Sequence, residues 1–223
     1  MQPIKKFPNL FTEKLGRKSL IFTKNCYPGL SHFEERIVKK ENLEFREFSS
    51  LRSKLAAAIA KDISQIGFRE ESIVLYLGAS HGYTPSFVSD IIGEKGTIFA
   101  IDIAPRVVRD LYFLSQRRKN IIPLLADCSH PESYQHLITG CDVLYQDISQ
   151  RDQPGIFLKN MRFLKPGGFG LLAVKARSID VTKNPREIFK KVKEELEKQT
   201  TIVDYRELDP FEKDHCLFVI KKK

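Results

Sequence analysis

The sequence lacks the features that mark several large classes of protein. Its four cysteines, Cys26, Cys128, Cys141 and Cys216, include no CxxC pair, which favours a reducing compartment over a disulfide framework. No apolar run approaches the roughly 20 residues that span a bilayer. Residues 1–20 are interrupted by charges and lack the core of a signal peptide. We therefore expect a cytoplasmic protein with no targeting segment and no membrane partner.

A metal site is not expected either. Cys128, His130, His136 and Cys141 lie close in sequence, but their spacing matches no common pattern of paired zinc ligands. There is no Gly/Arg-rich or Ser-rich tail and no obvious internal repeat. With 42% hydrophobic and 29% charged residues, the composition is that of an ordinary globular protein.

The charge balance is the informative part of the composition. A formal net charge of +9 makes a polyanion, most often a nucleic acid, a plausible partner through phosphate contacts. Basic clusters such as Arg117-Arg118-Lys119 and Lys190-Lys191 are most often solvated helix faces, although they also suit phosphates. Basicity alone does not separate these interpretations.

The chain divides near residue 50. Residues 1–50 hold short apolar pieces separated by Pro8, Gly16, Pro28 and Gly29, which is typical of a small β-rich domain. With 223 residues in all, residues 51–223 suffice for one full α/β domain. We expect the smaller part to pack on the larger one or to serve a partner.

Residues 51–223 alternate between helical and strand patterns. Ser53 is placed to cap a helix with an apolar face, and Ile73–Leu77 is an unbroken apolar run typical of a strand buried on both faces. Five parallel strands followed by a terminal hairpin predict a Rossmann-like α/β sheet of seven strands with an antiparallel last strand. The predicted later elements are these: helices at 84–92, from Pro105, 131–138, 153–164 and from Pro185; strands at 97–101, 121–125, 142–146, 169–175, 201–207 and 216–220, with a tight turn at Pro166-Gly167-Gly168.

A small-residue loop follows the first of these strands. Gly78 lets the backbone turn sharply and approach a ligand, but Ser80 stands where a GxGxxG dinucleotide pattern requires glycine. Asp102 ends the second strand, where a carboxylate can bind both hydroxyls of a ribose. The alternative is that Asp102 favours the start of the helix at Pro105 through the helix dipole. We prefer the ribose role.

Charged residues also end the next three parallel strands. Asp127 suits an adenine amino group and Asp147 a cationic centre, although either carboxylate alone is more often a helix or turn cap. Lys175 either extends to solvent from its strand end or acts chemically, with a pKa tuned by Asp147 and burial. Lys54 and His215 are uninformative individually. The ends of the strands together predict a ligand site.

A combination of motifs resembles the archaeal fibrillarin family. The matching segments are SKLAAAIAKDI, VLYLGAS followed by TPS, APR after Asp102, YQDISQ, VKARSID and FEKDH. They occur in order across residues 51–223, whereas residues 1–50 match by position and size only. The chain departs from the usual family pattern at Tyr83, where threonine is usual, and at Asp102, where glutamate is usual.

The resemblance implies an S-adenosylmethionine-dependent RNA ribose 2′-O-methyltransferase acting on ribosomal and transfer RNA within box C/D ribonucleoproteins. It implies a guide RNA, a Nop-domain scaffold protein and an L7Ae-type kink-turn-binding protein as partners. The implied active-site set is Lys54, Asp147, Lys175 and His215. The implied contacts to S-adenosyl-L-methionine are Gly78, Ala79, Tyr83, Thr84, Asp102, Ile103, Asp127, Cys128, Asp147, Ile148, Ser149 and Gln150.

Two alternatives come from other functional classes. A nicotinamide-dependent oxidoreductase is disfavoured by the missing GxGxxG and by the lack of a tyrosine followed four positions later by lysine. A catalytically idle RNA-binding subunit is disfavoured because all four active-site positions carry the expected residues.

Overall fold

The structure, a computed structural model, describes residues 1–16, 18–29 and 31–222. The described residues among the first 50 form a five-stranded antiparallel sheet in the order β1-β2-β3-β5-β4. Its strands are β1 (Gln2–Pro3), β2 (Leu10–Leu15), β3 (Lys18–Lys24), β4 (Ile37–Lys40) and β5 (Leu43–Glu47). The predicted β-rich character of this part is confirmed.

The rest of the chain forms a seven-stranded sheet in the order β11-β12-β10-β9-β6-β7-β8. Strands β6 to β10 are parallel, and β12 runs antiparallel to both of its neighbours. The strands are β6 (Ile73–Leu77), β7 (Thr97–Asp102), β8 (Ile121–Leu125), β9 (Cys141–Gln146), β10 (Leu164–Lys175), β11 (Thr200–Glu207) and β12 (His215–Lys222). The predicted fold class is confirmed.

In the described part of the chain, six α-helices and three 3₁₀ turns cover this sheet. The helices are α1 (Lys54–Ala60), α2 (Tyr83–Ile92), α3 (Pro105–Arg117), α4 (Gln153–Asn160), α5 (Ala176–Ile179) and α6 (Pro185–Glu197). The predicted Ser53 cap forms, because its hydroxyl accepts the Ala56 N–H, and α6 has a similar cap in which the Asn184 side chain accepts the Arg186 N–H. No helix in the described part of the chain is long and apolar enough to cross a membrane.

The strand β6 is buried on both faces, as its apolar run predicts. Val74 and Tyr76 belong to one apolar cluster, while Leu75 and Leu77 belong to the cluster on the opposite face. The first cluster also contains side chains of the N-terminal sheet, among them Ile21. The two sheets therefore share one core.

Three local predictions were wrong. The helix predicted over 131–138 is two short 3₁₀ turns, Pro131–Ser133 and Gln135–Leu137, because Tyr134 between them leaves the helical region with a φ of −125° and a ψ of 4°, and bonds to Asn160 through its hydroxyl. The helix predicted to reach Leu164 ends at Asn160 and tightens into a 3₁₀ turn.

The tight turn predicted at Pro166-Gly167-Gly168 is part of β10 instead. The ladder between β9 and β10 shifts register between Leu164 and Phe169, and Gly167 adopts a φ of +76° in the interrupted stretch. Residues 165–168 of β10 lie opposite Asp142 alone in β9, so they form a bulge within the strand rather than a separate turn before it.

Candidate active site

The first feature of the site is the contact between the loop after β6 and the end of β9. These adjacent parallel strands lie where the order of the sheet reverses, which is where α/β sheets bind ligands. Gly78 has a φ of +78°, and a Cβ at this position would lie 2.2 Å from the carbonyl oxygen of Asp147. Only glycine therefore permits the loop after β6 to come this close to the backbone at the end of β9.

A cleft of about 520 Å³ opens at this edge of the sheet. Its predicted lining residues are Gly78, Asp102, Ile103, Cys128, Asp147, Ile148, Ser149 and Gln150. The sequence did not single out four further lining residues, Ser80, Ile101, Val107 and Ala126. Three of these adjoin predicted residues in sequence, so only Val107, on the first turn of α3, came without such a signal. Four residues predicted to contact the cofactor, Ala79, Tyr83, Thr84 and Asp127, do not line this cleft.

Asp102 stands at the wall of the cleft and holds two backbone segments together. Its carboxylate accepts the Ser80 N–H at 2.9 Å and the Ala104 N–H at 3.1 Å. One bond fixes the glycine loop and the other fixes the start of α3. Because each carboxylate oxygen has two acceptor sites, the same group keeps capacity for further hydroxyl donors in the cleft.

Asp127 serves a turn beside the cleft. Its Oδ1 accepts both the N–H and the hydroxyl of Ser129, at 2.8 and 2.7 Å. The Ser129 N–H and then its hydroxyl hold the pKa of Asp127 below its usual value. The capping role that a lone carboxylate favours is thus the one that the geometry displays.

Tyr83 faces the N-terminal sheet. Its hydroxyl accepts the Ser49 N–H at 3.3 Å, its ring packs against Phe33 and Phe87, and the guanidinium of Arg52 lies 4.2 Å from the ring centroid. Burial raises the pKa of Tyr83. This residue therefore joins α2 to the first 50 residues, which explains why its side chain is absent from the cleft wall.

Thr84 supports the helix that carries Lys54. The Thr84 hydroxyl donates to Ser53 Oγ at 3.0 Å, and Ser53 is the N-cap of α1. Lys54 is the first residue of that helix. A buried hydroxyl pair thus fixes the point from which the Lys54 side chain leaves the backbone.

An ion pair joins the start of α1 to the end of β9. Lys54 Nζ lies 3.0 Å from Asp147 Oδ2, and both side chains are largely buried. The sequence instead suggested Lys175 as the partner of Asp147. The difference arises because the capped start of α1 brings Lys54 over the strand end, a contact between distant segments that strand order does not reveal.

Lys175 and His215 face each other at the same edge. They are register partners at the end of β10 and the start of β12. His215 Nδ1 lies 2.6 Å from the Lys213 carbonyl, which only accepts, so Nδ1 carries the proton and Nε2 is the basic nitrogen when the ring is neutral. Burial lowers the pKa of His215, and the positive charge of Lys54 lowers it further.

The site therefore combines a cleft with a nearby set of ionisable groups, Lys54, Asp147, Lys175 and His215. Burial also raises the pKa of Cys128, at the cleft wall, to about 11, which leaves its thiol protonated at neutral pH. Across residues 1–16, 18–29 and 31–222, no group of three or more His, Cys, Asp or Glu is arranged to hold a metal ion.

Comparison with known proteins gives one consistent family. The family model described as Fibrillarin matches residues 1–223. The chain is 45% identical over 220 residues to a fibrillarin-like rRNA/tRNA 2′-O-methyltransferase of Thermococcus sibiricus, covering 97% of each chain.

Solved structures of fibrillarins have the same fold. The fibrillarin of Aeropyrum pernix, crystallised with natively bound S-adenosyl-L-methionine, is 40% identical with a TM-score of 0.90 over 98% of this chain and 96% of its own. A fibrillarin in complex with Nop5p is 37% identical with a TM-score of 0.84 over 92% of this chain and 94% of its own.

Proposed function

The chain belongs to the fibrillarin family, and on that premise we propose that it methylates the 2′-hydroxyl of ribose in RNA with S-adenosyl-L-methionine as cofactor. The observation that carries this proposal is the Lys54–Asp147 ion pair beside a nucleotide-sized cleft. The relatives are named rRNA/tRNA methyltransferases, and we propose the same substrates here.

The cleft fits the cofactor through its shape and its polar groups. Gly78 lets its loop pack directly against the Asp147 carbonyl, which shapes one wall of the cleft, and the Asp102 carboxylate suits ribose hydroxyls. The apolar side chains of Ile103 and Ile148 suit a flat adenine ring. We assign the cofactor to these residues together with Cys128, Ser149 and Gln150. When bound, the cofactor supplies an electrophilic methyl group on a sulfonium centre.

The Lys54–Asp147 pair sets the charge at the reaction edge. Asp147 is the only one of the four candidate residues with a negative charge, and its partner Lys54 keeps that charge fixed in place. A carboxylate at this edge favours a cationic ligand, whereas the ammonium of Lys54 stabilises negative charge that develops on an attacking oxygen. Both functions require the pair to stay ordered.

His215 and Lys175 are the residues that we assign to the removal of the proton from the ribose hydroxyl. This hydroxyl is a very weak acid, so it must lose its proton as its oxygen attacks the methyl group. The lowered pKa of His215 keeps the ring neutral at pH 7, with Nε2 available to accept a proton. We propose that Lys175, its register partner, orients the hydroxyl or takes part in the transfer.

We propose that target choice belongs to partners of this chain. The net charge of +9 suits contact with RNA phosphates, but no sequence-reading module is evident. A guide RNA would pair with the target, a Nop-domain scaffold would dock on this chain, and an L7Ae-type protein would complete a box C/D particle. The similar fibrillarin in complex with Nop5p supports the scaffold.

The test is transfer of a labelled methyl group to guide-matched RNA, with and without the two partner proteins. We expect transfer by the assembled particle and its loss in the Asp147→Ala and Lys175→Ala variants, which should remain folded by circular dichroism. Near-normal turnover in both variants would refute the assignment of these residues. Calorimetric titration with S-adenosyl-L-methionine and with NAD separates the proposal from the nicotinamide-dependent oxidoreductase. A folded, RNA-bound wild-type particle that transfers no methyl group would favour the idle RNA-binding subunit.

A further inference from the structure

Gln153 makes an unusual pair of hydrogen bonds to the backbone of Lys175. This glutamine is the first residue of α4 and is fully buried. Its Oε1 accepts the Lys175 N–H at 2.9 Å, and its Nε2 donates to the Lys175 carbonyl at 3.2 Å. One side-chain amide therefore satisfies both backbone polar groups of a single residue.

This pair of bonds replaces a missing strand. On one side of β10, Lys175 is the register partner of His215 in β12. On the other side, β9 pairs with β10 only as far as Gln146 opposite Leu172. The last residues of β10 therefore extend beyond β9, and the Gln153 amide occupies the position of the next strand. A buried backbone group without such a partner would cost free energy.

The glutamine is itself held by the residue before Asp147. Gln146 is fully buried, and its Nε2 donates to the Gln153 carbonyl at 2.7 Å. A continuous chain of hydrogen bonds thus runs from the end of β9 through Gln153 to Lys175. It joins the strand ends that carry Asp147 and Lys175.

We propose that Gln153 is a positioning residue for methyl transfer. It sets the direction in which Lys175 leaves the end of β10, and it couples that direction to the position of Asp147. This inference rests on the proposed function. Because a displacement of about 1 Å at a reacting group can cost a factor of 100 in rate, loss of both bonds acts on turnover rather than on cofactor binding.

The experiment compares two variants in the assembled guide-RNA particle. Gln153→Met keeps the shape of the side chain and removes both bonds. Asn120→Leu is the matched control, because Asn120 is also buried and its Nδ2 donates to the Ser89 and Gly93 carbonyls. Asn120 directly precedes β8, so it lies at the edge where the parallel strands begin, opposite the edge that carries Lys175. The measurements are kcat, KM for RNA, Kd for S-adenosyl-L-methionine and Tm.

We expect Gln153→Met to lower kcat at least tenfold, with Kd and KM within a factor of two of wild type. Asn120→Leu should lower Tm and leave kcat within a factor of two. Wild-type kcat in Gln153→Met overturns the inference, as does an equal fall in kcat for both variants at equal loss of Tm. An inactive wild-type particle overturns the proposed function itself, which distinguishes the two failures.

Should Gln153→Met not fold, Gln153→Glu carries the test. Its carboxylate still accepts the Lys175 N–H but has no donor for the Lys175 carbonyl until it is protonated. Because burial raises the pKa of such a carboxyl, the ratio of its rate to that of wild type should be low at the alkaline end of a pH series, where the carboxyl is ionised, and rise as the pH falls. A ratio near one at every pH overturns the inference.

Discussion

Lys54 and Asp147 stand 93 positions apart in the chain, and their charged atoms meet at 3.0 Å. The contact links the first residue of a helix to the end of a strand in the middle of the sheet. Its two sides are fixed independently, one by the Ser53 cap and the other by the Gly78 loop against the Asp147 carbonyl. The pair is therefore held in place by contacts within the fold on both sides.

Replacing Lys54 with methionine should lower methyl transfer at least tenfold. The change leaves the Asp147 charge without its partner and removes a positive charge from the reaction edge. Because both groups are largely buried but keep some contact with solvent, we expect unfolding to become easier by about 1–3 kcal/mol, between the values for exposed and for buried pairs. Rates come from transfer of labelled methyl to RNA, and stability from urea unfolding.

The matched control for that variant is Lys165→Met. Lys165 also pairs with a carboxylate of the β9 strand, since its Nζ lies 2.8 Å from Asp142 Oδ1, but Asp142 stands at the opposite end of the strand. Wild-type turnover is expected. Equal losses in both variants would show that overall charge, and not the site, controls the rate.

The pH dependence of turnover should follow His215. Burial lowers its pKa below the ordinary value of 6.5, and Lys54 lowers it further, so the neutral ring persists below that pH. If neutral His215 is the active form, the rate falls on the acid side as the ring gains a proton, with a midpoint below pH 6.5. A pH series of single-turnover rates measures this limb.

His215→Gln should be slow and should lose the acid limb. His136→Gln is the control, because His136 is exposed on a 3₁₀ turn and should keep both the rate and the limb. An acid limb with its midpoint above 6.5, or one that survives in His215→Gln, would contradict the role of this ring.

Gly78→Ala should abolish measurable binding of S-adenosyl-L-methionine. The added Cβ would lie 2.2 Å from the Asp147 carbonyl oxygen, so one wall of the cleft must move. Gly93→Ala is a close control, since Gly93 also has a positive φ, +74°, but nothing lies within 4 Å of the new atom. It should cost about 1–3 kcal/mol of stability, because a φ of 74° with a ψ of 175° strains any residue other than glycine.

Calorimetric titration of both variants measures the difference. Binding by Gly93→Ala should match wild type. If Gly78→Ala also binds with wild-type affinity, the glycine loop does not shape the cofactor site.

Asp90→Asn should be among the most destabilising single changes in the protein. Asp90 is fully buried, and its carboxylate oxygens lie 2.7 Å from the guanidinium nitrogens of both Arg46 and Arg118. Removing its charge leaves two buried arginines without this partner, which typically costs 3–5 kcal/mol. The free energy of unfolding in urea is the measurement.

Asp62→Asn is the contrasting variant. Asp62 also pairs with a basic residue, Lys6, but its side chain is 86% exposed. Exposed pairs contribute about 0–1 kcal/mol, so little change is expected. Similar losses in the two variants would mean that burial does not govern the strength of these pairs.

The sequence was most informative about buried strands and about the residues that follow their ends. The run at Ile73–Leu77 marks a doubly buried strand because both faces of a central strand need apolar side chains. Asp102 and Asp147 were identified because the carboxyl ends of parallel strands share one edge, and both line the cleft.

The sequence did not predict contacts between segments that lie far apart along the chain. Tyr83 was predicted to contact the cofactor, but α2 packs against the N-terminal part of the chain, and the Tyr83 side chain contacts Ser49 and Phe33 there. Likewise, no pattern near Asp147 indicates Lys54 as its partner. The direction of a side chain at the start of a helix depends on which other segment packs against that helix, and the packing is set only when the whole chain has folded.

The carboxylate of Asp90 also bears on protein engineering. Its two arginine partners come from opposite sides of the predicted boundary at residue 50, and Phe48 stacks on Phe87 across the same boundary at 4.4 Å between ring centroids. Residues 51–223 expressed alone would keep the Asp90–Arg118 pair but lose Arg46, and Phe87 on α2 would lose its contact with Phe48 and become exposed. The enzyme should therefore be cut, circularly permuted or fused only at sites that keep both sheets together.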